Sequence, residues 1–130
     1  MSVEKAKAWL RKAESDLLSA DNNLSAAQIP FDVVCYHCQQ ATEKHLKALL
    51  VFLDAQPPPR THDLIALLEQ IHIYLKLPIP DRVKNSCVIL NPYAVEIRYP
   101  DDGLNLTLED SKEARQSAEI ACTWVRNLVK

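Results

Sequence analysis

The chain has 130 residues, of which 48% are apolar and 25% are charged, and its formal net charge is −2. This length and composition are typical of one globular domain, here residues 1–130, and the small net charge argues against a protein that coats nucleic acid nonspecifically. One glycine and eight prolines allow few tight β-hairpins, so we expect an all-α protein.

The sequence contains no stretch close to the roughly 20 consecutive apolar residues of a membrane span. The amino terminus is charged from Glu4 onward and has no apolar signal-peptide region. We therefore expect a cytoplasmic protein without membrane contact. In the cytoplasm the four cysteines, Cys35, Cys38, Cys87 and Cys122, are expected to be reduced thiols in partly apolar helical surroundings.

The first predicted helix runs from about Val3 to Leu24, with Ser2 as a candidate N-cap. It has an apolar stripe at helical spacing and a charged face that is expected to be solvated. The apolar stripe comprises Ala6, Trp9, Leu10, Ala13, Leu17, Ala20 and Leu24, and the charged face comprises Lys5, Lys12, Glu14, Asp16 and Asp21.

The second predicted helix starts at an Asp32 cap and ends near Asp54, before three consecutive prolines. One arc of this helix is apolar and is expected to be the centre of the core. The arc comprises Val34, Cys38, Ala41, His45, Ala48, Leu49 and Phe52, with Cys35, Thr42, Leu46 and Leu53 at its edge.

Three further helices are predicted after the prolines. The third covers about 62–75 with Thr61 as its cap, and the fourth starts at Pro80 and stops at Asn91. Residues 93–106 could include a short strand, but a lone strand leaves its backbone groups unpaired, so we interpret them as a loop or an irregular helix extension. Thr107 and Asp110 resemble a capping box for a fifth helix. The buried faces of the last two helices are predicted to be Val83, Cys87, Ile89 and Leu90, and then Ala114, Ala118, Ala121, Cys122, Val125 and Leu128.

A polar stripe lies opposite the apolar arc of the second helix. Its members are Tyr36, Gln40, Glu43 and Lys47, spaced four, three and four residues apart, with Lys44 beside them. One interpretation is a solvated face supported by pairs such as Glu43 with Lys47. The other is a sheltered surface, at a cleft or a contact between subunits, where these side chains bind a polar ligand.

Two cysteines form a CxxC motif, Cys35 and Cys38, with His37 between them. A redox pair or a zinc site would need further features, and there is no second CxxC in the chain. Because both cysteines fall on the apolar arc or its edge, we interpret them as core thiols. His45 is interpreted in the same way, as a core histidine with its hydrogen bonds satisfied.

Two loops place an arginine beside an aromatic or imidazole ring. The first contains Arg60, His62 and Asp63, and the second contains Arg98 and Tyr99. Arginine and ring groups suit contacts with phosphates and bases, although loop residues and helix caps would account for the same pattern.

Together these stretches resemble the HEPN family, a nucleotide-binding domain found in prokaryotes and higher eukaryotes. The similarity lies in the run from Gln39 to Leu50, in Thr61-His62-Asp63-Leu64, and in Arg98-Tyr99-Pro100, in the family's order and separations. The stretch from Trp9 to Ala20 is also similar to the family's first helix. The resemblance covers nearly the whole chain.

The resemblance implies an up-and-down bundle of about five helices that forms a homodimer. It also implies coupling to a small nucleotidyltransferase, often as a two-gene toxin–antitoxin system. Many family members are metal-independent ribonucleases with an arginine followed after four to six residues by a histidine. This chain departs from that motif, since Arg60 is only two residues before His62 and no histidine follows Arg98.

The leading hypothesis is therefore a dimeric protein that binds a nucleotide or an RNA element, or docks on a nucleotidyltransferase, with no cofactor or metal. The polar stripe would then be sheltered by a second subunit or a bound molecule. One alternative is a non-catalytic dimeric interaction module, and another is a ribonuclease with a non-standard Arg/His site. The assigned ligand-binding residues are Tyr36, Gln40, Glu43, Lys44, Lys47, His62, Arg98 and Tyr99.

Overall fold

Residues 3–55, 58–94 and 105–130 are described by the structure, a computed structural model. These residues form five α-helices and one short 3-10 helix, and they contain no strand. The helices are α1 (Val3–Leu24), α2 (Phe31–Phe52), α3 (Leu64–Tyr74), α4 (Asp81–Leu90) and α5 (Leu108–Leu128), with the 3-10 helix at Asn91–Ala94. The all-α prediction is confirmed.

Helix α2 is the centre of the bundle. It packs against α1, α5 and α3, and more lightly against α4 and the 3-10 helix. Its predicted apolar arc is buried from Val34 to Leu49, and Phe52 is half-buried. The buried alanines of α1 and α5, such as Ala13 and Ala118, have small side chains that suit close approach of the helices on either side.

The amino-terminal ends of α2 and α4 differ from the predictions. Helix α2 starts at Phe31 after an extended Pro30, so Asp32 is in the first turn and not at the cap. Its Oδ1 accepts a hydrogen bond from Val33 N at 3.0 Å. Pro80 is likewise the residue before α4 and not its first residue. Proline has a fixed φ and no N–H, and both properties are compatible with the residue that precedes a helix.

Helix α2 ends in a Schellman motif. The N–H of Ala55 donates to the carbonyl of Leu50 at 3.0 Å, and the N–H of Asp54 donates to that of Val51 at 3.1 Å. Asp54 has a φ of 64°, the left-handed conformation that glycine usually supplies at this position. The chain therefore turns away from α2 two residues after its last helical residue.

The start of α3 differs from the predicted 62–75 helix. The N-cap is Asp63, whose Oδ1 accepts from Ile65 N at 3.0 Å, whereas Thr61 Oγ1 accepts from Asp63 N at 3.1 Å. Asn91 Nδ2 also donates to Asp63 Oδ1 at 3.0 Å, which fixes the cap from the far end of α4. As a result His62 lies in the loop before α3 and not in the helix.

The predicted capping box of α5 is confirmed, with Thr107 and Asp110 exchanging hydrogen bonds between side chain and backbone. The predicted buried faces of α4 and α5 are confirmed except for Ile89 and Leu128, which are half-buried. The loop prediction for 93–106 falls mostly on residues 95–104, which lie outside the described residues. Tyr93 and Ala94 belong to the 3-10 helix.

Candidate functional site

The polar stripe of α2 is sheltered, as predicted, but neighbouring parts of the same chain shelter it. Gln40, Glu43 and Lys47 are 8%, 3% and 9% exposed, although only one subunit is present. Helix α1 approaches this stripe from one side and the loop before α3 approaches it from the other. These three side chains are therefore too deeply buried to provide most of a ligand-binding surface themselves.

Glu43 is the centre of one hydrogen-bonded group on this stripe, the Glu43 cluster, which comprises Gln39, Gln40, Glu43, Lys47 and His62. Glu43 Oε2 accepts from Lys47 Nζ at 3.0 Å, and Oε1 accepts from His62 Nδ1 at 2.8 Å and from Gln40 Nε2 at 3.4 Å. A buried carboxylate is stable only when its charge is compensated and its oxygens are hydrogen-bonded. The lysine and the two other donors meet that requirement.

The same cluster fixes the backbone of His62. Gln39 Nε2 donates to the His62 carbonyl oxygen at 2.9 Å, and Gln39 Oε1 accepts from Gln40 Nε2 at 2.7 Å. Two consecutive glutamines of α2 and the carboxylate one turn later thus hold both the main chain and the ring of one loop residue. His62 is therefore anchored to the most buried helix of the protein.

The His62 ring itself faces solvent. Its side chain is 71% exposed, whereas the Glu43 side chain is 4% exposed. A carboxylate can only accept a hydrogen bond, so Nδ1 carries the hydrogen in this contact. In the neutral ring Nε2 then carries the lone pair, and among the described residues Nε2 has no hydrogen-bond partner. The ring is oriented by the core and open to a ligand.

Lys44 and Tyr36 belong to a different group on the α1 side of α2, the Asp16 cluster, which comprises Asp16, Tyr36, His37 and Lys44. Asp16 Oδ2 accepts from Lys44 Nζ at 2.7 Å and Asp16 Oδ1 from His37 Nδ1 at 2.9 Å. Tyr36 packs edge-to-face on His37 with ring centroids 5.4 Å apart. The polar stripe is thus divided between two clusters, and Lys44 is not part of the Glu43 cluster.

Asp16 corrects a prediction, because it was assigned to the solvated face of the first helix and is 8% exposed. The signal that could have identified it is its spacing, three residues after buried Ala13 and four before buried Ala20. A carboxylate at such a position needs partners from the neighbouring helix, and α2 provides two of them.

The Trp9 side chain of α1 contacts Lys47 of the polar stripe, and this contact was not predicted from the sequence. The Nζ atom of Lys47 lies 5.9 Å from the centroid of the Trp9 ring, within cation–π distance. Lys47 therefore links α1 to the Glu43 cluster.

Arg98 and Tyr99, two of the predicted ligand-binding residues, lie outside the described residues. Arg60, in the loop that carries His62, is exposed. Asp63 in the same loop has a pKa below its ordinary value, because Asn91 donates a hydrogen bond to it and backbone N–H groups of α3 add to the effect.

All four cysteines are buried, so the interpretation of Cys35 and Cys38 as core thiols is confirmed. Burial raises the pKa of the Cys38, Cys87 and Cys122 thiols to about 12. In residues 3–55, 58–94 and 105–130, no group of three or more His, Cys, Asp or Glu side chains is arranged to hold a metal ion.

His45 is a core histidine, as predicted, and is fully buried. Its Nδ1 lies 2.7 Å from the Ala41 carbonyl oxygen, to which it donates, and its Nε2 accepts from Arg126 Nη1 at 3.3 Å. Burial, with the nearby Arg126 charge, lowers the pKa of His45 to about 4. This residue is neutral and structural at neutral pH.

Comparison with known proteins gives a consistent result. The family model of the HEPN domain matches residues 6–128. The chain is similar to the crystal structure of ST0689, an archaeal HEPN homologue, with a TM-score of 0.74 and 26% identity over 96% of this chain and 98% of that one. It is also similar to the crystal structure of TT1696 from Thermus thermophilus, with a TM-score of 0.75 and 25% identity over 95% and 97% of the two chains.

A comparison with the curated proteins finds no match. Within the described part of the chain, none of the helices combines the length and the apolar character needed to cross a membrane.

Proposed function

This chain belongs to the HEPN domain family, and we propose that it binds a nucleotide or a single-stranded RNA element on the surface around the His62 ring. The observation that supports this proposal is the contact between the buried Glu43 carboxylate and the exposed His62 ring. A histidine that served only to satisfy Glu43 would not need most of its side chain in solvent.

The chemistry of an anchored imidazole suits this ligand. Its Nε2, which has no partner among the described residues, accepts a hydrogen bond from a ribose hydroxyl or a base amino group, and its ring offers a face on which a base stacks. Arg60, exposed two residues earlier in the same loop, is available to a phosphate. Because α2 fixes the His62 ring and backbone before the ligand arrives, little ordering cost remains at binding.

In this proposal the predicted ligand-binding residues either position another side chain or contact the ligand directly. Gln40, Glu43 and Lys47 are positioning residues that act through His62, while His62 is the direct contact. Arg98 and Tyr99 remain proposed ligand contacts on the strength of their chemistry, a planar cation and an aromatic ring. Tyr36 and Lys44 would contribute from the Asp16 cluster, on the other side of the stripe.

The proposal includes assembly as a homodimer in the cytoplasm that works with a small nucleotidyltransferase, as expected of a toxin–antitoxin pair. Light scattering tests the dimer, and copurification with the product of an adjacent nucleotidyltransferase gene tests the partner.

Binding of a fluorescein-labelled single-stranded RNA, with AMP as competitor, tests the ligand. We expect His62→Ala to weaken binding by about fivefold to tenfold, the cost of one lost hydrogen bond with some stacking. His72→Ala is the matched control, because His72 is also an exposed histidine and lies on α3 away from Glu43. Equal affinity of His62→Ala and the unsubstituted protein would overturn the proposed surface.

A second candidate is metal-independent cleavage of RNA at the same residue. The observation in its favour is the contact between Nδ1 and Glu43, since a carboxylate bound to Nδ1 leaves Nε2 as the base that could take a ribose 2′-hydroxyl proton. Incubation of defined RNAs in EDTA tests it. Fragments ending in a 2′,3′-cyclic phosphate that disappear with His62→Ala would support cleavage, whereas intact RNA at high protein concentration would limit the function to binding.

A further inference from the structure

An open groove lies between α1, the end of α2 and the loop that follows. It has a volume of about 440 Å³, within the range of ligand-binding clefts. We call it the Trp9 groove, and it is lined by Lys5, Ala8, Trp9, Lys12, Val51 and Pro58.

The lining combines an aromatic ring with two cations on one face of α1. Lys5, Trp9 and Lys12 are spaced four and three residues apart, so they project from the same side of the helix. Both lysines are exposed, and neither forms an ion pair with another residue of the described chain. The rest of the lining is apolar, from Ala8, Val51 and Pro58.

Two cations that have no carboxylate partner in the described part of the chain, beside an aromatic ring, favour a ligand that is both anionic and planar. An apolar ligand would leave the two ammonium groups unused, and a simple anion would not use the ring or the apolar lining. A nucleotide has both parts, because its base stacks on an aromatic ring and its phosphate pairs with lysine.

The Trp9 groove is also continuous with the Glu43 cluster. Lys47 lies 5.9 Å from the Trp9 ring centroid and donates to Glu43 Oε2 at 3.0 Å, and Glu43 in turn holds His62. A chain of side-chain contacts therefore runs from the groove to the exposed histidine.

We propose that the Trp9 groove is a second nucleotide subsite, in which Trp9 stacks on a base and Lys5 and Lys12 hold the adjoining phosphate. The inference rests on the proposed function, because it assigns a further part of the same ligand. The nucleotide unit comes either from a free nucleotide or from single-stranded RNA, which share this chemistry.

Charge reversal tests the subsite without disturbing the core. The variant Lys5→Glu/Lys12→Glu changes two exposed side chains of the groove, and Lys7→Glu/Arg11→Glu makes the same change of charge on the opposite side of α1. We expect the first variant to weaken binding of a labelled oligoadenylate by about tenfold more than the second. The slope of the logarithm of its binding constant against the logarithm of salt concentration should also fall by about 0.7, which corresponds to the loss of one phosphate contact on a single strand.

Stacking on Trp9 is measured separately, by quenching of tryptophan fluorescence during titration with AMP or with oligoadenylate. The other tryptophan, Trp124, is only 9% exposed and is therefore less accessible to a quenching ligand. Loss of the quenching in the Trp9→Phe variant assigns it to Trp9. Quenching by AMP identifies a free nucleotide as a sufficient ligand, and quenching by oligoadenylate alone identifies RNA. Either result supports the subsite, and quenching by neither overturns it.

Comparison with His62→Ala separates this inference from the proposed function. If the groove variant binds like its Lys7/Arg11 control while His62→Ala weakens binding, the subsite is wrong and the His62 surface stands. If the groove variant alone weakens binding, the subsite stands and the His62 surface is wrong. Equal weakening by both charge-reversal variants reports only net charge and overturns the subsite.

Discussion

The Nδ1 atom of His62 donates a hydrogen bond of 2.8 Å to Oε1 of Glu43, which joins a side chain that is 71% exposed to one that is 4% exposed. Lys47 donates to the other carboxylate oxygen of Glu43 from a side chain that is 11% exposed. His62 lies at the exposed end of this series of hydrogen bonds, whereas Glu43 and Lys47 are buried. Substitution of His62 should therefore mainly affect binding, and substitution of Glu43 should also affect stability.

Replacement of Glu43 by alanine should destabilise the fold by about 3 kcal/mol, because it leaves the buried Lys47 ammonium without its acceptor. Urea denaturation of the purified variant measures this change as a lower midpoint with an unchanged slope.

His62→Ala is the comparison for that measurement and should cost less than about 1 kcal/mol, because the exposed ring contributes little to packing and Glu43 keeps its lysine. A His62→Ala loss as large as the Glu43→Ala loss would mean that His62 is chiefly a structural support, as the alternative of an interaction module requires.

Much of the fold could be predicted from the sequence because it depends on local rules. The apolar arc of α2 from Val34 to Leu49 follows from the helical period, and the Thr107–Asp110 capping box follows from side-chain chemistry at a helix start. The predicted start of α3 was wrong because Thr61 was taken as the cap, whereas the cap is Asp63, which the distant Asn91 side chain binds.

The shelter of the polar stripe was predicted, but its source was not. The contact between Glu43 and His62 spans 19 residues and depends on the left-handed turn at Asp54, which nothing in residue spacing indicates. The helical spacing of Asp16 could have indicated its burial, but it could not have identified the partners on α2, His37 and Lys44. The roles of Arg98 and Tyr99 stay predictions.

Asp16→Asn should destabilise the protein by about 1 kcal/mol, because it weakens two charge-assisted contacts that join α1 to α2, with His37 and with Lys44. Glu14→Gln is the matched control, an exposed carboxylate on the same helix, and should change stability by less than about 0.5 kcal/mol. Thermal melts of the two variants at pH 7 compare them, and equal melting temperatures would refute a structural role for Asp16.

His45 should make stability depend on pH below neutrality. Its pKa falls from an ordinary value of 6.5 to about 4 in the folded protein, chiefly through burial. Between these pH values the unfolded chain binds the proton and the folded protein does not. The contribution of neutral His45 to the free energy of unfolding is therefore fully present above pH 6.5 and is lost as the pH falls through about 4. The loss across this interval is about 3 kcal/mol.

Urea denaturation at several pH values between 6.5 and 4 measures this dependence, and His45→Gln isolates it, because glutamine does not titrate. The variant should be less stable at pH 7 but should lose less stability than the unsubstituted protein as the pH falls. Parallel curves for the two proteins would show that His45 is not the responsible group.

The four cysteines should be unreactive in the folded protein, because all are buried and burial raises the pKa of Cys38, Cys87 and Cys122 to about 12. A colorimetric disulfide reagent at pH 8 should therefore react slowly with native protein and should find four thiols after denaturation in guanidinium. Rapid reaction of two thiols in the native state would favour a working Cys35–Cys38 pair.

The central claim, that Glu43 acts on a ligand through His62, is tested most directly by a double-mutant cycle in RNA binding. We predict that Glu43→Gln and His62→Ala each weaken binding by about fivefold to tenfold, and that the double variant binds no more weakly than His62→Ala alone. Losses that add in the double variant, or a Glu43→Gln protein with unchanged affinity, would contradict the claim.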